Sequence, residues 1–229
     1  MVSLFFLFTS VPSIHASNNS QQEISAEEKQ QIFEKFKVLQ REICSIRASV
    51  NQEKQMTALK EKVHVEGMVL MAKPNLLRWD IERPERSITV IDGEKMTVYH
   101  PEVKEAQVYA LSENIIARNT VSFFATALSG NLSEMEKKFT VTVFRAEDGL
   151  VFKLVPVSKM LSRYLSAVFI YYDEGTGMPR SFRVTTPKGD ETLTKLSNMR
   201  INPALSPETF RLQLPGDVWI TNRTEQSNN

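Results

Sequence analysis

The sequence predicts a mainly β fold with helices (α+β), in which about eleven short antiparallel strands form a sandwich or a barrel. Three observations favour this fold. Short runs of alternating apolar residues recur along the chain, as at Val63–Met71 and Phe139–Phe144. Tight turns separate the runs, most clearly at Asp92-Gly93, because a two-residue hairpin turn needs positive φ. The run Leu165–Tyr172 is apolar on both faces, which suits a sheet that packs on helices or encloses an apolar space.

Two helices are predicted. The first begins at the capping box Ser25-Ala26-Glu27-Glu28, in which the Ser and Glu side chains each satisfy a free backbone amide of the other. Apolar residues then recur every three or four positions, which predicts an amphipathic helix of about twenty residues. These residues are Ile32, Phe33, Phe36, Leu39 and Ile43. The second helix is predicted at Val121–Leu128, with Asn119 as its cap and Gly130 at its end.

The predicted strands lie between turn residues. Six of them precede the second helix: Ile46–Lys54, Glu61–Met71, Leu76–Glu82, Ser87–Ile91, Lys95–His100 and Ala106–Leu111. Five follow it: Phe139–Phe144, Leu150–Val155, Leu165–Tyr172, Met178–Thr185 and Glu191–Ile201. Prolines at Lys73-Pro74-Asn75 and Arg83-Pro84-Glu85 end two of the runs. The strands should therefore pair mostly with their neighbours in sequence, as in a meander.

Composition bounds the function. A chain of 229 residues suits one sizeable domain, which we assign to residues 17–229. The formal net charge of +1 argues against nucleic acid as a partner, because such binding needs a basic excess. The 13 phenylalanines and 9 methionines suit either an ordinary core or an adaptable apolar interior.

The first residues read as an export signal. Met1–Ala16 contains a short apolar core, Leu4–Phe8, followed by small residues, which predicts a signal peptide at residues 1–16. The core is far shorter than the roughly 20 residues that span a bilayer. No cysteine stands near the predicted cleavage site, so we expect an exported, soluble protein without its own lipid anchor.

The sequence contains no recognisable catalytic or metal-binding set. His15, His64 and His100 have no partners at ligand spacing, whereas a zinc site needs three or four convergent ligands. Cys44, the one cysteine, has no nearby histidine to activate it, and its predicted helical position indicates a buried thiol. No Gly-rich phosphate loop occurs. We therefore expect no enzyme activity, no metal and no cofactor.

Three motifs carry a family resemblance. They are Lys73-Pro74-Asn75-Leu76-Leu77-Arg78-Trp79, Ile91-Asp92-Gly93-Glu94-Lys95 and Val98-Tyr99-His100-Pro101. Their order and spacing resemble the signature of the periplasmic outer-membrane lipoprotein carriers, the LolA-like proteins. The predicted second helix, the turn Pro203–Glu208 and a closing strand at Phe210–Pro215 extend the resemblance to about Gln40–Ile220.

The resemblance implies a half-open antiparallel β-barrel with a helical lid and an interior that shields lipoprotein acyl chains. It implies a periplasmic carrier, which we expect to be a monomer. Such a carrier accepts cargo from an ATP-driven inner-membrane release complex and passes it to an outer-membrane lipoprotein receptor. In the family, a basic residue before the first motif's proline is implicated in holding the lid. The family usually has Arg there, whereas this chain has Lys73, which lacks the planar fork of a guanidinium.

The candidate wall or lid residues are Phe36, Met68, Lys73, Trp79, Phe123 and Phe124. The apolar residues among them suit an ordinary core equally well. Two other functions stay open at this point. One is a LolA-like carrier or sensor of another lipid or glycolipid, and the other is an enzyme on the same barrel.

Overall fold

The computed structural model describes residues 22–58, 61–113 and 133–223. In this part of the chain, 13 strands form one sheet, which confirms the mainly β prediction. In residues 22–58 the strands are β1 (Gln22–Glu23) and β2 (Ser45–Gln55). Those of residues 61–113 are β3 (Val63–Ala72), β4 (Leu76–Arg83), β5 (Ser87–Ile91), β6 (Lys95–His100) and β7 (Glu105–Ala110). The remaining strands are β8 (Phe139–Ala146), β9 (Gly149–Pro156), β10 (Ala167–Tyr172), β11 (Pro179–Thr185), β12 (Glu191–Ile201) and β13 (Trp219–Arg223).

Two antiparallel meanders make up the sheet. Strands β2 to β7 follow one another in space as in sequence, and so do β8 to β12. Pairing of β12 with β2 joins the meanders, so the full order is β1-β8-β9-β10-β11-β12-β2-β3-β4-β5-β6-β7-β13. The edges β1 and β13 do not pair with each other, and the sheet stays open.

Local turn chemistry sets the first meander, as predicted. Gly93 has φ of 101°, and Asp92 Oδ1 accepts hydrogen bonds from the backbone N–H groups of Glu94 and Lys95, both at 3.0 Å. The prolines Pro74 and Pro84 follow cis peptide bonds in the two preceding turns. These three turns place β3 to β6 side by side.

The end of the chain differs from the prediction. Phe210–Pro215 is not a strand; a 3₁₀ helix occupies Pro207–Phe210, and the closing strand is β13, which pairs with β7 in parallel. Phe210 is buried and the Arg78 guanidinium donates to the Thr209 carbonyl at 3.3 Å, so this segment covers the outer face of β4. This segment is therefore held against β4 by side-chain contacts, and it does not form the predicted strand.

Helix α1 (Ala26–Gln40) is shorter than predicted but begins where its cap requires. The Ser25 hydroxyl accepts from the Glu28 N–H at 3.1 Å. The Glu28 carboxylate does not complete the capping box. It forms an ion pair with Arg145 at 2.6 Å instead. Two further helices of one turn each are α2 (Ser133–Glu136) and α3 (Lys159–Ser162). None of the helices in the described ranges is long and apolar enough to span a membrane.

The prediction for Cys44 was wrong. Helix α1 ends at Gln40, so Cys44 lies in the connection to β2, and its side chain is exposed. The predicted signal peptide at residues 1–16 and the predicted helix Val121–Leu128 lie outside the described residues.

Helix α1 packs on the inner face of β8 to β11. Phe36 is fully buried, and its ring lies 5.9 Å from that of Phe152 and 5.2 Å from that of Tyr172. Phe33 stacks on Phe152 from the same helix face. Burial raises the pKa of Tyr172 far above its ordinary value, so this phenol stays neutral in the core. The apolar stripe of α1 thus forms the centre of one half of the protein.

We predict that Phe36→Ala lowers the free energy of unfolding by about 3–5 kcal/mol, because a buried ring is lost and a cavity remains. Val38→Ala is the matched control, since Val38 is 72% exposed on the same helix. Chemical denaturation measures both. Equal, small losses in the two variants would contradict the packing described for α1.

Candidate functional site

A cavity of 230 Å³ lies on the inner face at the middle of the sheet. Its walls are side chains that point inward from five neighbouring strands, β11, β12, β2, β3 and β4. They are Ile46, Ala48, Val50, Gln52, Val69, Met71, Trp79, Phe182, Val184, Thr192, Thr194 and Leu196. Strand alternation explains the set, because every second residue of β2 from Ile46 to Gln52 faces the cavity. The cavity lies beside the core that α1 covers, and Phe182 belongs to both.

The lining of this cavity is almost wholly apolar. Its polar side chains gather toward one end, where Gln52 Nε2 donates to Thr194 Oγ1 at 2.8 Å. None of the described lining residues is an acid, a base or a thiol. Such a surface attracts hydrocarbon and offers nothing to activate a reacting bond.

The volume limits what the cavity holds. Ligand pockets in proteins usually enclose about 300–1,000 Å³, so 230 Å³ admits a section of one acyl chain at most. Met71 on the wall can change rotamer and give way at low cost. A bulkier ligand requires that part of the wall moves.

The opposite end of the cavity lies at Ile46, the first residue of β2 that lines it. A smaller cleft of 30 Å³ adjoins it there, and the two share Ile46 and Met71. Lys73, in the turn between β3 and β4, lines this cleft. Its Nζ donates to the carbonyl oxygen of Gln40, the last residue of α1, at 3.2 Å. A cation suits this position because the free carbonyls at a helix C-terminus carry negative charge.

Gln40 makes a second attachment of the same helix end. Its side chain is fully buried, and Nε2 donates to the carbonyl of Gly177 in the turn between β10 and β11. Gly177 has φ of 66°, and an added Cβ would lie 3.3 Å from both Phe36 and Leu39. The Gln40 Oε1 is buried without a hydrogen-bond partner in the part of the chain that the structure describes. This attachment is therefore incompletely satisfied, which weakens it.

The beginning of α1 is attached by charge. Arg145 donates to Glu28 at 2.6 Å and to Glu174, in the β10–β11 turn, at 2.7 Å. The hydrogen bond to Glu28, followed by that to Glu174, holds the pKa of Arg145 above its usual value. The group is partly exposed, so the pair orients the helix more than it stabilises the fold.

The structure places the predicted site residues in different surroundings. Trp79 lines the cavity, and Lys73 lies at its end beside α1. Phe36 belongs to the neighbouring core and does not line the cavity. Met68 lies on the opposite face of β3, because Val69 and Met71 face inward and neighbours alternate; Arg47 Nε contacts its sulfur at 2.9 Å. Phe123 and Phe124 lie outside the described residues.

Sequence reasoning missed several wall residues. Ala48 and Val50 on β2 and Leu196 on β12 line the cavity, yet only the pairing of β12 with β2 brings them together. The apolar alternation Ile46, Ala48, Val50 was the available signal. No sequence pattern marked Gln40, because a glutamine that is buried at the end of a helix cannot be told from an exposed one by its neighbours. Within residues 22–58, 61–113 and 133–223, no group of three or more His, Cys, Asp or Glu side chains could hold a metal ion.

Comparisons with known proteins identify the family to which this chain is similar. The family model described as "Outer membrane lipoprotein carrier protein LolA" matches residues 41–213. A protein named "Outer-membrane lipoprotein carrier protein" from Coxiella burnetii is 24% identical over 147 residues, 64% of this chain and 66% of that protein. One of the same name from Dechloromonas aromatica is 28% identical over 154 residues, 67% of this chain and 70% of that protein. The chain thus spans just under two thirds of the Coxiella relative.

A solved structure supports the fold. An uncharacterized conserved protein from Thermus thermophilus aligns with a TM-score of 0.54 at 15% identity, and the alignment covers 86% of this chain and 99% of that one. The likeness shows that another protein adopts a similar fold.

We predict that Ala48→Leu lowers the affinity for a fluorescent fatty acid about tenfold, because its added carbons occupy a cavity of only 230 Å³. Asn51→Leu is the matched control: it adds a similar side chain to the exposed face of the same strand. Fluorescence titration measures both affinities. If both variants bind like the unsubstituted protein, the cavity is not where acyl chains bind.

Proposed function

Because this chain belongs to the LolA family of outer-membrane lipoprotein carrier proteins, we propose that it is a periplasmic carrier of lipoproteins. In this role it shields their acyl chains while they move from the inner to the outer membrane. The single observation that carries the proposal is the neutral, apolar cavity at the centre of the sheet. The names of the Coxiella and Dechloromonas relatives point to the same role.

The physical need for such a carrier is large. Each methylene exposed to water costs about 0.8 kcal/mol, so a lipoprotein with two or three long chains leaves a membrane very slowly by itself. A protein that offers an apolar surface in place of water removes most of that cost. The cargo is then proposed to arrive from an ATP-driven inner-membrane release complex and to leave for an outer-membrane receptor.

The cavity of 230 Å³ is smaller than its proposed cargo, so we infer that loading shifts an equilibrium between a compact and an expanded form. A ligand shifts such an equilibrium only by its differential affinity for the two forms. We infer that the end of α1 is the moving part, because two polar bonds, from Lys73 and from Gln40, hold it next to the cavity. Lys73 thereby takes the role that the usual family Arg would have.

A direct test is release of a tagged lipoprotein from spheroplasts. We expect the purified protein to bring the lipoprotein into the supernatant, and Ala48→Leu to release several-fold less because its cavity is filled. The lipid that co-purifies with the protein, identified by mass spectrometry, distinguishes lipoproteins from other lipids or glycolipids. No release by the unsubstituted protein would rule out lipoprotein carriage.

Lys73→Leu tests the fastening of α1. Because Lys73 is exposed, its hydrogen bond contributes about 0.5–1.5 kcal/mol, so its loss favours the open, loaded form and should slow hand-off several-fold. Lys188→Leu is the matched control, since Lys188 is an exposed lysine in the β11–β12 turn. Transfer kinetics to acceptor membranes and the thermal unfolding of each variant are measured together. Unchanged transfer in a folded Lys73→Leu protein would remove Lys73 from the mechanism.

A further inference from the structure

The connection between β9 and β10 exposes an unusual amount of apolar surface. We call residues 155–164, which include helix α3, the β9–β10 corner. Its exposed apolar side chains are Val155, Val157, Met160 and Tyr164, with exposures of 38%, 64%, 49% and 62%. In the described part of the chain, eleven large hydrophobic side chains are exposed, so four of them fall within these ten residues. Such a concentration indicates a contact surface.

The corner is an ordered structure and its exposure is not a consequence of fraying. Leu161 and Leu165 pack against the core that α1 covers. The N–H groups of Tyr164 and Leu165 both donate to the Leu161 carbonyl at 3.0 Å, and the Val157 N–H donates to the Lys138 carbonyl at 3.0 Å. These hydrogen bonds and the packing of Leu161 and Leu165 fix the backbone, while Met160 and Tyr164 lie outside the core.

The corner also carries unbalanced positive charge. Between Asp148 and Asp173 the chain contains Lys153, Lys159 and Arg163 and no acidic residue. Lys159 and Arg163 are exposed. The nearby acids of α2 already have other partners, because Glu134 pairs with Lys137 and Glu136 with Lys29, both at 2.7 Å. The surface thus presents apolar side chains together with cations that no acid on the adjoining helix neutralises.

We propose that the β9–β10 corner docks on the anionic surface of a lipid bilayer. Apolar side chains beside Lys and Arg bind an anionic interface through both buried apolar area and charge. Tyrosine, like Tyr164 here, is enriched at the level of lipid headgroups. A stable protein partner would need roughly 20–30 residues on each side, whereas the corner consists of ten consecutive residues. Its size therefore favours shallow insertion into lipid over a protein interface.

Vesicle co-sedimentation tests the proposal, with vesicles of phosphatidylcholine alone or mixed with phosphatidylglycerol and free of any lipoprotein. The protein should bind the mixed vesicles, bind neutral vesicles at least several-fold less, and dissociate as salt rises. The double variants Met160→Ser with Tyr164→Ser, and Lys159→Gln with Arg163→Gln, should each weaken binding roughly tenfold. The matched controls, Val103→Ser and Lys188→Gln, change an exposed apolar residue and an exposed cation elsewhere and should bind as before.

The variants alter exposed side chains, so their thermal unfolding should match that of the unsubstituted protein. Absence of binding to anionic vesicles, equal binding to neutral ones, or unchanged binding in both double variants would overturn the proposal. If both double variants bind vesicles normally but transfer lipoprotein between native membranes more slowly, the corner binds an acidic protein instead. Ala48→Leu, with its filled cavity, should bind vesicles normally, so bilayer docking and lipoprotein carriage can fail independently.

Discussion

The pairing of β12 with β2 is the interaction on which the rest of the structure depends. It joins two meanders, each of which could form from local turns, into one sheet with a single continuous inner face. That face is apolar across its width, and Leu196 of β12 packs against the clusters on both sides. The α1 stripe fills the β8–β11 side with aromatic rings. The cavity lies where the filled side meets the other, so its position follows from the topology.

The chemistry of the cavity follows from which face of each strand it uses. Along β2, Ile46, Ala48 and Val50 present hydrocarbon, and Gln52 ends the series with an amide bound to a threonine hydroxyl. From Ile46 to Gln52 the strand rises about 20 Å at 3.3 Å per residue. An acyl chain laid along β2 therefore has a neutral polar group at one end and the Lys73 ammonium near the other. This arrangement suits the amphiphilic cargo of the proposed carrier.

Local signals predicted most of the strands, whereas contacts distant in sequence escaped prediction. Asp92-Gly93 and the two prolines placed β3 to β6 because turn chemistry needs only neighbouring residues. The parallel pairing of β13 with β7 joins residues more than a hundred positions apart, so no local turn predicts it. Met68 was predicted as a candidate wall or lid residue, and period-two alternation already placed it on the face of His64 and Glu66, away from the cavity wall. The prediction of a buried thiol at Cys44 is wrong because the apolar spacing continues to Ile43, whereas the helix ends at Gln40.

The strength of its contacts decides which part of α1 can move. Burying a phenylalanine side chain contributes about 1.5–3 kcal/mol, and Phe33 and Phe36 are both buried in one aromatic stack. A typical net hydrogen bond contributes only about 0.5–1.5 kcal/mol, and the Gln40 attachment leaves one buried oxygen unsatisfied. Detaching the whole helix would expose the stack and cost about 3–6 kcal/mol for these two rings alone, a large part of the stability of an ordinary domain. Releasing the last turn breaks the bonds made by Lys73 and Gln40 and loosens the packing of Ile43, but it leaves the aromatic stack in place. Under the proposed carrier function, the end of α1 is therefore the part that would move, while the aromatic stack would keep the rest of the helix on the sheet.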